Sequence, residues 1–289
     1  MKVLITGGGG QLAARLILTR PEGIEAIALG RTELDVADAR SVTNTLLALQ
    51  PDTVINTAAY TAVDRAESDV VAAAATNASG PANLAHAAMQ AGIRLIHVST
   101  DFVFDGVRGS AHLPGDPTRP VNEYGRSKAL GEVGVRAVMQ DAALILRTAW
   151  LYSAHGKGFL TTMLRLMRER GEVSVVCDQV GTPTSVDTLA HALWRAVAVP
   201  SFGGTHHFTD AGVASWYDLA VAISEEASQL RLIDRSVVVK PIRTDQYPTP
   251  ASRPKCSLLD KTSTVDGLGM SLKHWRYALR DEMSRLANV

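Results

Sequence analysis

Short apolar runs that alternate with longer helix-like stretches constrain this chain more than any other feature of its sequence. The runs occupy residues 3–6, 24–29, 53–56, 95–99 and 144–147. Helix-like stretches lie between or after them, at residues 11–18, 41–49, 70–91 and in the segment that follows Tyr124. Continuous apolar runs of this kind are typical of strands buried in a parallel sheet. The alternation therefore predicts an α/β fold with right-handed crossovers and a doubly wound parallel sheet of the Rossmann type.

The rhythm of the pattern changes after Trp150. Helical patterns then mix with short extended ones, for example at residues 159–170 and 173–176. We therefore expect a Rossmann lobe over residues 1–150 and a smaller mixed C-terminal lobe over residues 151–289, some segments of which pack back onto the first lobe.

The charge and composition of the chain exclude several classes of protein. Hydrophobic residues make up 46% of its 289 residues, which excludes intrinsic disorder. Its 29 basic residues balance 29 acidic ones, so no bulk field draws the protein to nucleic acid or to an anionic membrane. No stretch supplies the roughly 18 consecutive apolar residues of a membrane-spanning helix. The only two cysteines, Cys177 and Cys256, favour a reduced cytoplasmic protein over a disulfide-bonded secreted one.

The residues that follow the first run predict a dinucleotide-binding turn. Gly7, Gly10 and Ala13 have the spacing at which a strand passes into a helix beside a pyrophosphate. Glycines let the backbone approach the anion, and the N–H groups at the helix start, including those of Gln11 and Leu12, face it. A tight turn without a ligand would also use these glycines. With the later motifs, the turn favours an NAD(P)-binding lobe.

Residues at the ends of the next strands refine this cofactor site. Arg31 stands where an acidic residue would bind the ribose of NAD, and an arginine there can bind a 2′-phosphate. The sequence therefore favours NADPH, with NADH as a second acceptable cofactor, although Arg31 would equally suit a solvated loop. Asp35, followed by Val36, is expected beside the adenine or as the N-cap of the next helix. The segment after the third run, which includes Ala58, Ala59 and Tyr60, is expected to line the cofactor site, where its small residues leave room for the cofactor.

A second group of polar residues predicts the reacting centre. Tyr124 and Lys128 are four positions apart, so on a helix their side chains share one face. An adjacent ammonium would lower the pKa of the tyrosine by stabilising the phenolate. This spacing also occurs by chance on many surface helices. It gains weight because Thr100 directly follows the fourth run, where a hydroxyl can hydrogen-bond a carbonyl oxygen that gains negative charge.

The glycine turn, the hydroxyl at the strand end and the Tyr-x-x-x-Lys pair together resemble the extended short-chain dehydrogenase/reductase superfamily. Four longer motifs resemble the dTDP-4-dehydrorhamnose reductase family more closely. They are residues 99–106 (Ser-Thr-Asp-Phe-Val-Phe-Asp-Gly), 147–152 (Arg-Thr-Ala-Trp-Leu-Tyr), 178–184 (Asp-Gln-Val-Gly-Thr-Pro-Thr) and 253–258 (Arg-Pro-Lys-Cys-Ser-Leu). With residues 56–67 and 215–217, the resemblance extends over nearly the whole chain.

This resemblance implies a reaction and a role for each motif residue. The reaction is reduction of the 4-keto group of dTDP-4-dehydro-6-deoxy-L-mannose to dTDP-L-rhamnose, a step of dTDP-rhamnose biosynthesis, with hydride from the cofactor. Thr100 would polarise the ketone, Tyr124 would donate the proton, and Lys128 would bind the nicotinamide ribose.

The same resemblance implies that the C-terminal lobe binds the sugar nucleotide. The residues that would line the sugar pocket are Thr61, Val63, Asp101, Phe102 and Trp150. Gln179 and Arg253 would lie at the nucleotide end of the substrate. A guanidinium fork suits a diphosphate, although Arg253 could instead be a structural ion-pair partner.

Three positions depart from the family pattern. Phe102 replaces the usual tyrosine, which removes one possible hydrogen bond to the sugar. Ala13 replaces the last glycine of the turn, which close helix packing tolerates. Arg15 stands where magnesium-linked dimeric members carry a glutamate, so we predict no metal and either a monomer or a metal-free homodimer.

Two other functions remain open on the sequence. Phe102 leaves room for a 4-ketoreductase that makes a different dTDP-deoxysugar, whereas a 4,6-dehydratase would be expected to carry Thr-Asp-Glu at residues 100–102. A non-catalytic regulatory subunit is the alternative from another class, because the regulatory subunit of methionine adenosyltransferase also resembles this family.

Several residues that could suggest further sites have a simpler interpretation. His206 and His207 are neighbours in a predicted strand, so one is expected to be buried and the other exposed. Trp194, Trp216 and Trp275 lie in helix-like stretches and are predicted to belong to the core.

Overall fold

A computed structural model describes residues 1–287 of the protein, so residues 288 and 289 of the predicted C-terminal lobe lie outside the described residues. Its strands are β1 (Lys2–Thr6), β2 (Glu25–Leu29), β3 (Thr53–Asn56), β4 (Arg94–Thr100), β5 (Leu144–Thr148), β6 (Leu151–Tyr152), β7 (Glu172–Val176), β8 (Val180–Gly181), β9 (Thr184–Ser185), β10 (Gly204–His207), β11 (Ala214–Ser215) and β12 (Val238–Ile242).

The helices alternate with these strands in the first half and dominate the second. They are α1 (Gln11–Leu18), α2 (Ala39–Leu49), α3 (Val63–Ala66), α4 (Val70–Ala74), α5 (Gly80–Ala91), α6 (Glu123–Met139), α7 (Phe159–Glu169), α8 (Val186–Ala198), α9 (Trp216–Gln229), α10 (Thr262–Leu268) and α11 (Trp275–Ala287). Within residues 1–287, none of the helices combines the length and the apolar character that a membrane crossing requires.

Six parallel strands form the central sheet, in the order β10-β5-β4-β3-β1-β2. The predicted doubly wound parallel sheet is therefore confirmed. The strand order reverses at β1, which pairs with both β2 and β3, so that Thr6 lies level with Leu29 and Asn56. Ligands of such sheets bind in the crevice at the carboxyl ends of the strands where the order reverses. The fold thus places the glycine turn at this crevice.

Helices cover both faces of the sheet because each helix buries one apolar side. On one face, Leu12 and Leu16 of α1 pack with Leu189 and Leu193 of α8. On the other, α2, α5 and α6 cover a cluster that includes Leu46. The sheet therefore reaches solvent on neither face, as its continuous apolar runs predict.

The C-terminal half divides its residues between two parts of the fold. Its strand β10 adds to the edge of the central sheet beside β5, with His207 level with Arg147, and α8 packs on α1. The helices α7, α9 and α11 form a separate apolar cluster with the β7 and β12 pair. Residues from beyond position 150 are thus needed to complete the sheet.

The predicted helix over residues 70–91 is interrupted. A π-helical turn, Ala75–Ser79, lies between α4 and α5. It lies against α6 at Gly131, where a Cβ atom would come within 2.1 Å of the Asn77 carbonyl oxygen. π-Turns of this kind often occur at functional sites, and Asn77 contacts both halves of the site described next.

Candidate active site

The glycine turn at the end of β1 has the geometry that a dinucleotide needs. Gly7 has a φ of +72°, and a Cβ atom there would lie 2.8 Å from the backbone of Ala58. Gly10 is the N-cap of α1 and provides no side-chain cap, and the first turn of the helix carries no acidic residue. The N–H groups that begin α1, those of Gln11 and Leu12 among them, therefore remain available to an anion.

The residues predicted at the adenosine end lie beyond β2. Arg31 is the most exposed of them, with 78% of its side chain accessible, and its Nε is 3.4 Å from Asp35 Oδ2. Asp38, not Asp35, caps α2, because its carboxylate accepts the N–H groups of Arg40 and Ser41. The interpretation of Asp35 as that cap is therefore wrong.

The side chain of Val36 lies in the core. It is 3% exposed, and a Cβ atom added to Gly80 would lie 2.8 Å from its Cγ2. Its carbonyl oxygen accepts a hydrogen bond from Asn83. The Val36 side chain therefore packs against Gly80 inside the fold, and direct contact of Val36 with a cofactor stays a prediction.

Asn77 joins the predicted cofactor segment to the helix that carries Tyr124 and Lys128. Its side chain accepts from the Tyr60 N–H at 2.8 Å and donates to the Tyr60 carbonyl at 3.0 Å. It also donates to the Ser127 hydroxyl, which itself donates to the carbonyl oxygen of Tyr124. Sequence reasoning missed Asn77, although a polar side chain within an alanine-rich run was an available signal.

The structure brings the three predicted catalytic residues to one place. Thr100 ends β4, and Tyr124 lies in the first turn of α6, which begins at the N-cap Asn122. The first turn of α6 lies directly on Phe102, because a Cβ atom at Gly125 would be 2.2 Å from the Phe102 carbonyl oxygen. The rings of Phe102 and Tyr124 meet edge to face, with centroids 5.5 Å apart.

The environment of Tyr124 differs from the one expected from its spacing to Lys128. Burial raises the pKa of Tyr124 to about 12, a hydrogen bond with the Thr100 side chain opposes the rise, and the charge of Asp101 adds to it. The expected lowering by Lys128 is therefore wrong, because removal of the hydroxyl from water dominates. Tyr124 is fully protonated at neutral pH, which is the state that a proton donor requires.

Lys128 is also enclosed by protein. Its Nζ donates to the carbonyl oxygen of Val98 at 2.8 Å, and only 2% of the residue is exposed. Burial lowers the pKa of Lys128 to about 8, against an opposing effect of the Glu132 carboxylate. Lys128 therefore remains mostly charged at neutral pH and loses its charge as the pH rises through about 8.

Asp101 offers the site one free acceptor. Its Oδ1 accepts a hydrogen bond from the Thr100 hydroxyl at 3.0 Å, whereas its Oδ2 is buried without a partner in the described part of the chain. Burial raises the pKa of Asp101 to about 6, although the nearby hydroxyl groups of Ser257 and Thr100 limit the rise. Buried polar atoms normally have partners, so this oxygen is suited to a substrate hydroxyl.

A buried ion pair supports the site from behind. Glu132, one turn beyond Lys128, accepts from Arg147 Nε at 2.8 Å and from Arg147 Nη2 at 2.7 Å. It also accepts from Ser99, next to Thr100, and from Arg136. Arg147 in turn donates to the carbonyl oxygen of Pro114. The pair was missed on the sequence because its members are 15 residues apart and share no local pattern.

The remaining predicted substrate residues differ in their exposure to solvent. Thr61 is exposed just before α3, which begins at Val63. Gln179 is buried, and its amide donates to Thr244. Phe102 and Trp150 are half-buried beside the catalytic residues.

Arg253 forms an ion pair within the protein. Its Nη1 is 3.0 Å from Asp64 Oδ1, and its Nη2 is 2.8 Å from Asp64 Oδ2. The hydrogen bond with Arg253 holds the pKa of Asp64 below its usual range. The alternative interpretation of Arg253 as a structural partner therefore describes the structure, and contact with a diphosphate stays a prediction.

The predictions for the neighbouring histidines and for the three tryptophans are confirmed only in part. His207 is buried as predicted, but the expected exposure of His206 is wrong, because its half-buried ring hydrogen-bonds to Ser263 and to the carbonyl oxygen of Gly203. Trp194 and Trp275 are buried as predicted, whereas Trp216 is half-buried, packs against the edge of the C-terminal apolar cluster and stacks on Trp150. Within residues 1–287, no group of three or more His, Cys, Asp and Glu side chains is arranged to hold a metal ion.

The fold and this arrangement define a protein of the extended short-chain dehydrogenase/reductase type. A family model described as the RmlD substrate binding domain matches residues 1–288. A dTDP-4-dehydrorhamnose reductase from Burkholderia thailandensis is 40% identical over 292 residues, which cover 96% of this chain and 97% of the relative. The chain therefore belongs to the dTDP-4-dehydrorhamnose reductase family.

Two solved structures agree with this assignment. The dTDP-4-dehydrorhamnose reductase from Bacillus anthracis, solved in complex with NADP, has a TM-score of 0.92 and 33% identity, with 98% of this chain and 99% of that one covered. The orthologue from Clostridium acetobutylicum has a TM-score of 0.91 and 37% identity, with 99% of both chains covered.

Replacement of Arg147 tests the buried ion pair. We expect Arg147→Met to lower the free energy of unfolding by about 3–5 kcal/mol, because the buried Glu132 would lose its buried partner and keep only the more exposed Arg136 to balance its charge. Urea denaturation of Arg147→Met and of the double variant Arg147→Met/Glu132→Met measures this, and the double variant should recover most of the loss. The control Arg126→Met removes an exposed pair with Glu123 and should change stability by less than about 1 kcal/mol. An equal effect of the two arginine replacements would contradict a special role for the buried pair.

Proposed function

We propose that the protein reduces the 4-keto group of dTDP-4-dehydro-6-deoxy-L-mannose to give dTDP-L-rhamnose, with NADPH as the hydride donor. The observation that carries the proposal is the convergence of Thr100, Tyr124 and Lys128 beside a dinucleotide-binding turn. Family membership over nearly the whole chain supports the choice of substrate.

The residues present fit a nicotinamide dinucleotide. The close approach of Gly7 to Ala58 and the uncapped start of α1 form a cradle for the pyrophosphate. Arg31, exposed and held only weakly by Asp35, would bind a 2′-phosphate. Lys128 would bind the nicotinamide ribose. When bound, NADPH supplies the hydride that adds to C4 of the sugar.

The side chains around the substrate then have separate roles. Thr100 hydrogen-bonds the ketone oxygen as negative charge develops on it. Tyr124 transfers its phenolic proton to that oxygen, which completes the addition of one hydride and one proton to the carbonyl group. Asp101 Oδ2 accepts a hydrogen bond from a sugar hydroxyl, since the carboxylate has no other partner for this atom in the described residues.

The two cysteines and Arg15 bear on the location and the assembly of the enzyme. We place it in the reducing cytoplasm, where its two free cysteines would remain thiols. We also propose a monomer or a metal-free homodimer. Arg15 donates to Asp187 of α8 at 2.6 Å, so position 15 contributes a paired cation and no carboxylate ligand.

The deciding experiment is an assay of NADPH oxidation. The purified protein is mixed with dTDP-4-dehydro-6-deoxy-L-mannose generated in place, the product is identified, and NADH is run in parallel. Rapid oxidation with formation of dTDP-L-rhamnose would establish the reaction. Tight binding of NADPH without oxidation would instead favour a different keto-sugar or a regulatory subunit.

Tyr124→Phe should lower turnover by a factor on the order of 10² or more, because the ring remains while the transferable proton is lost. Binding of NADPH, measured by fluorescence titration, should change little. Tyr277→Phe is a matched control, since Tyr277 is 60% exposed and lies on α11. Unchanged turnover in Tyr124→Phe would remove this residue from the mechanism.

The titration of Lys128 predicts the alkaline limb of the pH profile. Lys128 carries a charge below about pH 8 and loses it above. We therefore expect kcat/KM for NADPH to fall as the pH rises through this value, since this parameter reports groups of the free enzyme. Tyr124 has a pKa of about 12 and cannot cause this limb. A profile without an inflection in this region would show that the charge on Lys128 is not required.

Arg31→Ala should weaken the binding of NADPH on the order of tenfold and that of NADH much less, because only NADPH carries the 2′-phosphate. Equilibrium titration with each cofactor measures the two effects. Arg40→Ala, which removes another exposed arginine, controls for the change in net charge. Equal losses for both cofactors would assign Arg31 to a solvated loop.

A further inference from the structure

Trp150 has a backbone conformation that bulky residues rarely adopt. Its φ is +48°, in the left-handed region. A bulky residue is held there only when the surrounding structure compensates for the strain, and such residues cluster at functional sites. Part of that support comes from β9, whose Thr184 N–H donates to the Trp150 carbonyl oxygen at 3.1 Å.

The indole of Trp150 is held mainly by Trp216. The two rings are stacked, with centroids 3.7 Å apart and planes inclined by only 2°. Trp216 is the first residue of α9, and its position is fixed by the N-cap Ser215, which exchanges hydrogen bonds with Asp218. Phe159, the first residue of α7, packs against the Trp216 ring with centroids 4.7 Å apart.

Gly181 holds the edge of the same indole. A Cβ atom at Gly181 would lie 2.6 Å from both Cε2 and Nε1 of Trp150. Gly181 belongs to β8 and pairs with Ala214 of β11, two residues before Trp216. The Trp216 ring thus covers one face of the Trp150 indole, and the backbone of Gly181 lies against the edge of that indole.

Trp150 connects this aromatic group to the reacting centre. It packs against the cluster of Val103, Phe104, Ala149 and Leu259, together with Ala129. Val103 directly follows Phe102, and Ala129 directly follows Lys128. A change in the angle of the indole would therefore alter the packing of the residues that adjoin Phe102 and Lys128.

From this geometry we propose that Trp216 is a positioning residue for the sugar nucleotide. It holds the Trp150 ring at the angle at which the face turned away from Trp216 meets the dTDP-deoxysugar, and so determines the affinity for this class of substrate. The inference rests on the proposed function, because it takes the ligand of Trp150 to be a dTDP-sugar. Trp216 need not touch the substrate itself.

Binding of dTDP-L-rhamnose tests this inference without requiring turnover. We expect Trp216→Ala to weaken binding on the order of tenfold, because an aromatic pair is lost and Trp150 is released from its strained conformation. Trp216→Phe should restore most of the affinity, since a smaller ring can still stack. The KM for the keto-sugar should rise in Trp216→Ala by a similar factor, with the KM for NADPH unchanged.

Circular dichroism provides a readout that a general loss of stability would not reproduce. Two stacked indoles give an exciton couplet, which should disappear in Trp216→Ala and Trp216→Phe. It should persist in Trp194→Phe, where the replaced ring is buried in α8. Gly181→Ala displaces the Trp150 ring without touching Trp216, so it should alter the couplet and weaken binding of the dTDP-sugar.

The possible results separate the two proposals. A folded Trp216→Ala variant that binds dTDP-L-rhamnose as tightly as the wild type would overturn the role of Trp216. A wild-type protein that binds this ligand but does not reduce the keto-sugar would overturn the proposed reaction only. A wild-type protein that does not bind dTDP-L-rhamnose at all would overturn both.

Discussion

The buried ion pair between Glu132 and Arg147 is the interaction on which the catalytic geometry depends. Neither charge can remain in the protein interior without its partner and a full set of hydrogen bonds. That requirement draws in Ser99 from β4, Arg136 from the exposed side of α6 and the carbonyl oxygen of Pro114. The helix that carries Tyr124 and Lys128 is thereby fixed relative to the strand that ends in Thr100.

The same enclosed surroundings have opposite effects on the two titratable residues of α6. Removal from water disfavours whichever form is charged. The pKa of Tyr124 therefore rises to about 12, while that of Lys128 falls to about 8. One physical cause thus keeps the acid protonated and lets the amine lose its charge at a lower pH than an exposed lysine would. The carboxylate of Glu132 limits the second effect, so the ion pair sets the charge of the site as well as its shape.

The sequence predicted the features that depend on local pattern. The length and spacing of apolar runs identify parallel strands, and residues that directly follow a strand must lie at its carboxyl end. The glycine turn, Thr100 and the Tyr124–Lys128 pair could therefore be placed in advance. Features that depend on tertiary contact could not. Asn77 acts through a π-turn that α6 shapes, and Trp216 acts through a ring that lies 66 positions earlier in the chain. The elevated pKa of Tyr124 likewise reflects burial, which its spacing to Lys128 does not reveal.

The central sheet cannot be completed early in synthesis, because its edge strand β10 lies at residues 204–207. As the chain leaves the ribosome, residues 1–150 contain every strand of the sheet except this one, and they lack α8 as well. The apolar side of α1 has no cover until residue 198 has emerged, and the edge of β5 has no partner until residue 207 has emerged. A nascent chain in this state exposes both a strand edge and a hydrophobic surface, the two features that favour association with other chains. The half that contains the glycine turn is therefore translated first, yet part of its surface stays exposed to other chains until later segments have emerged.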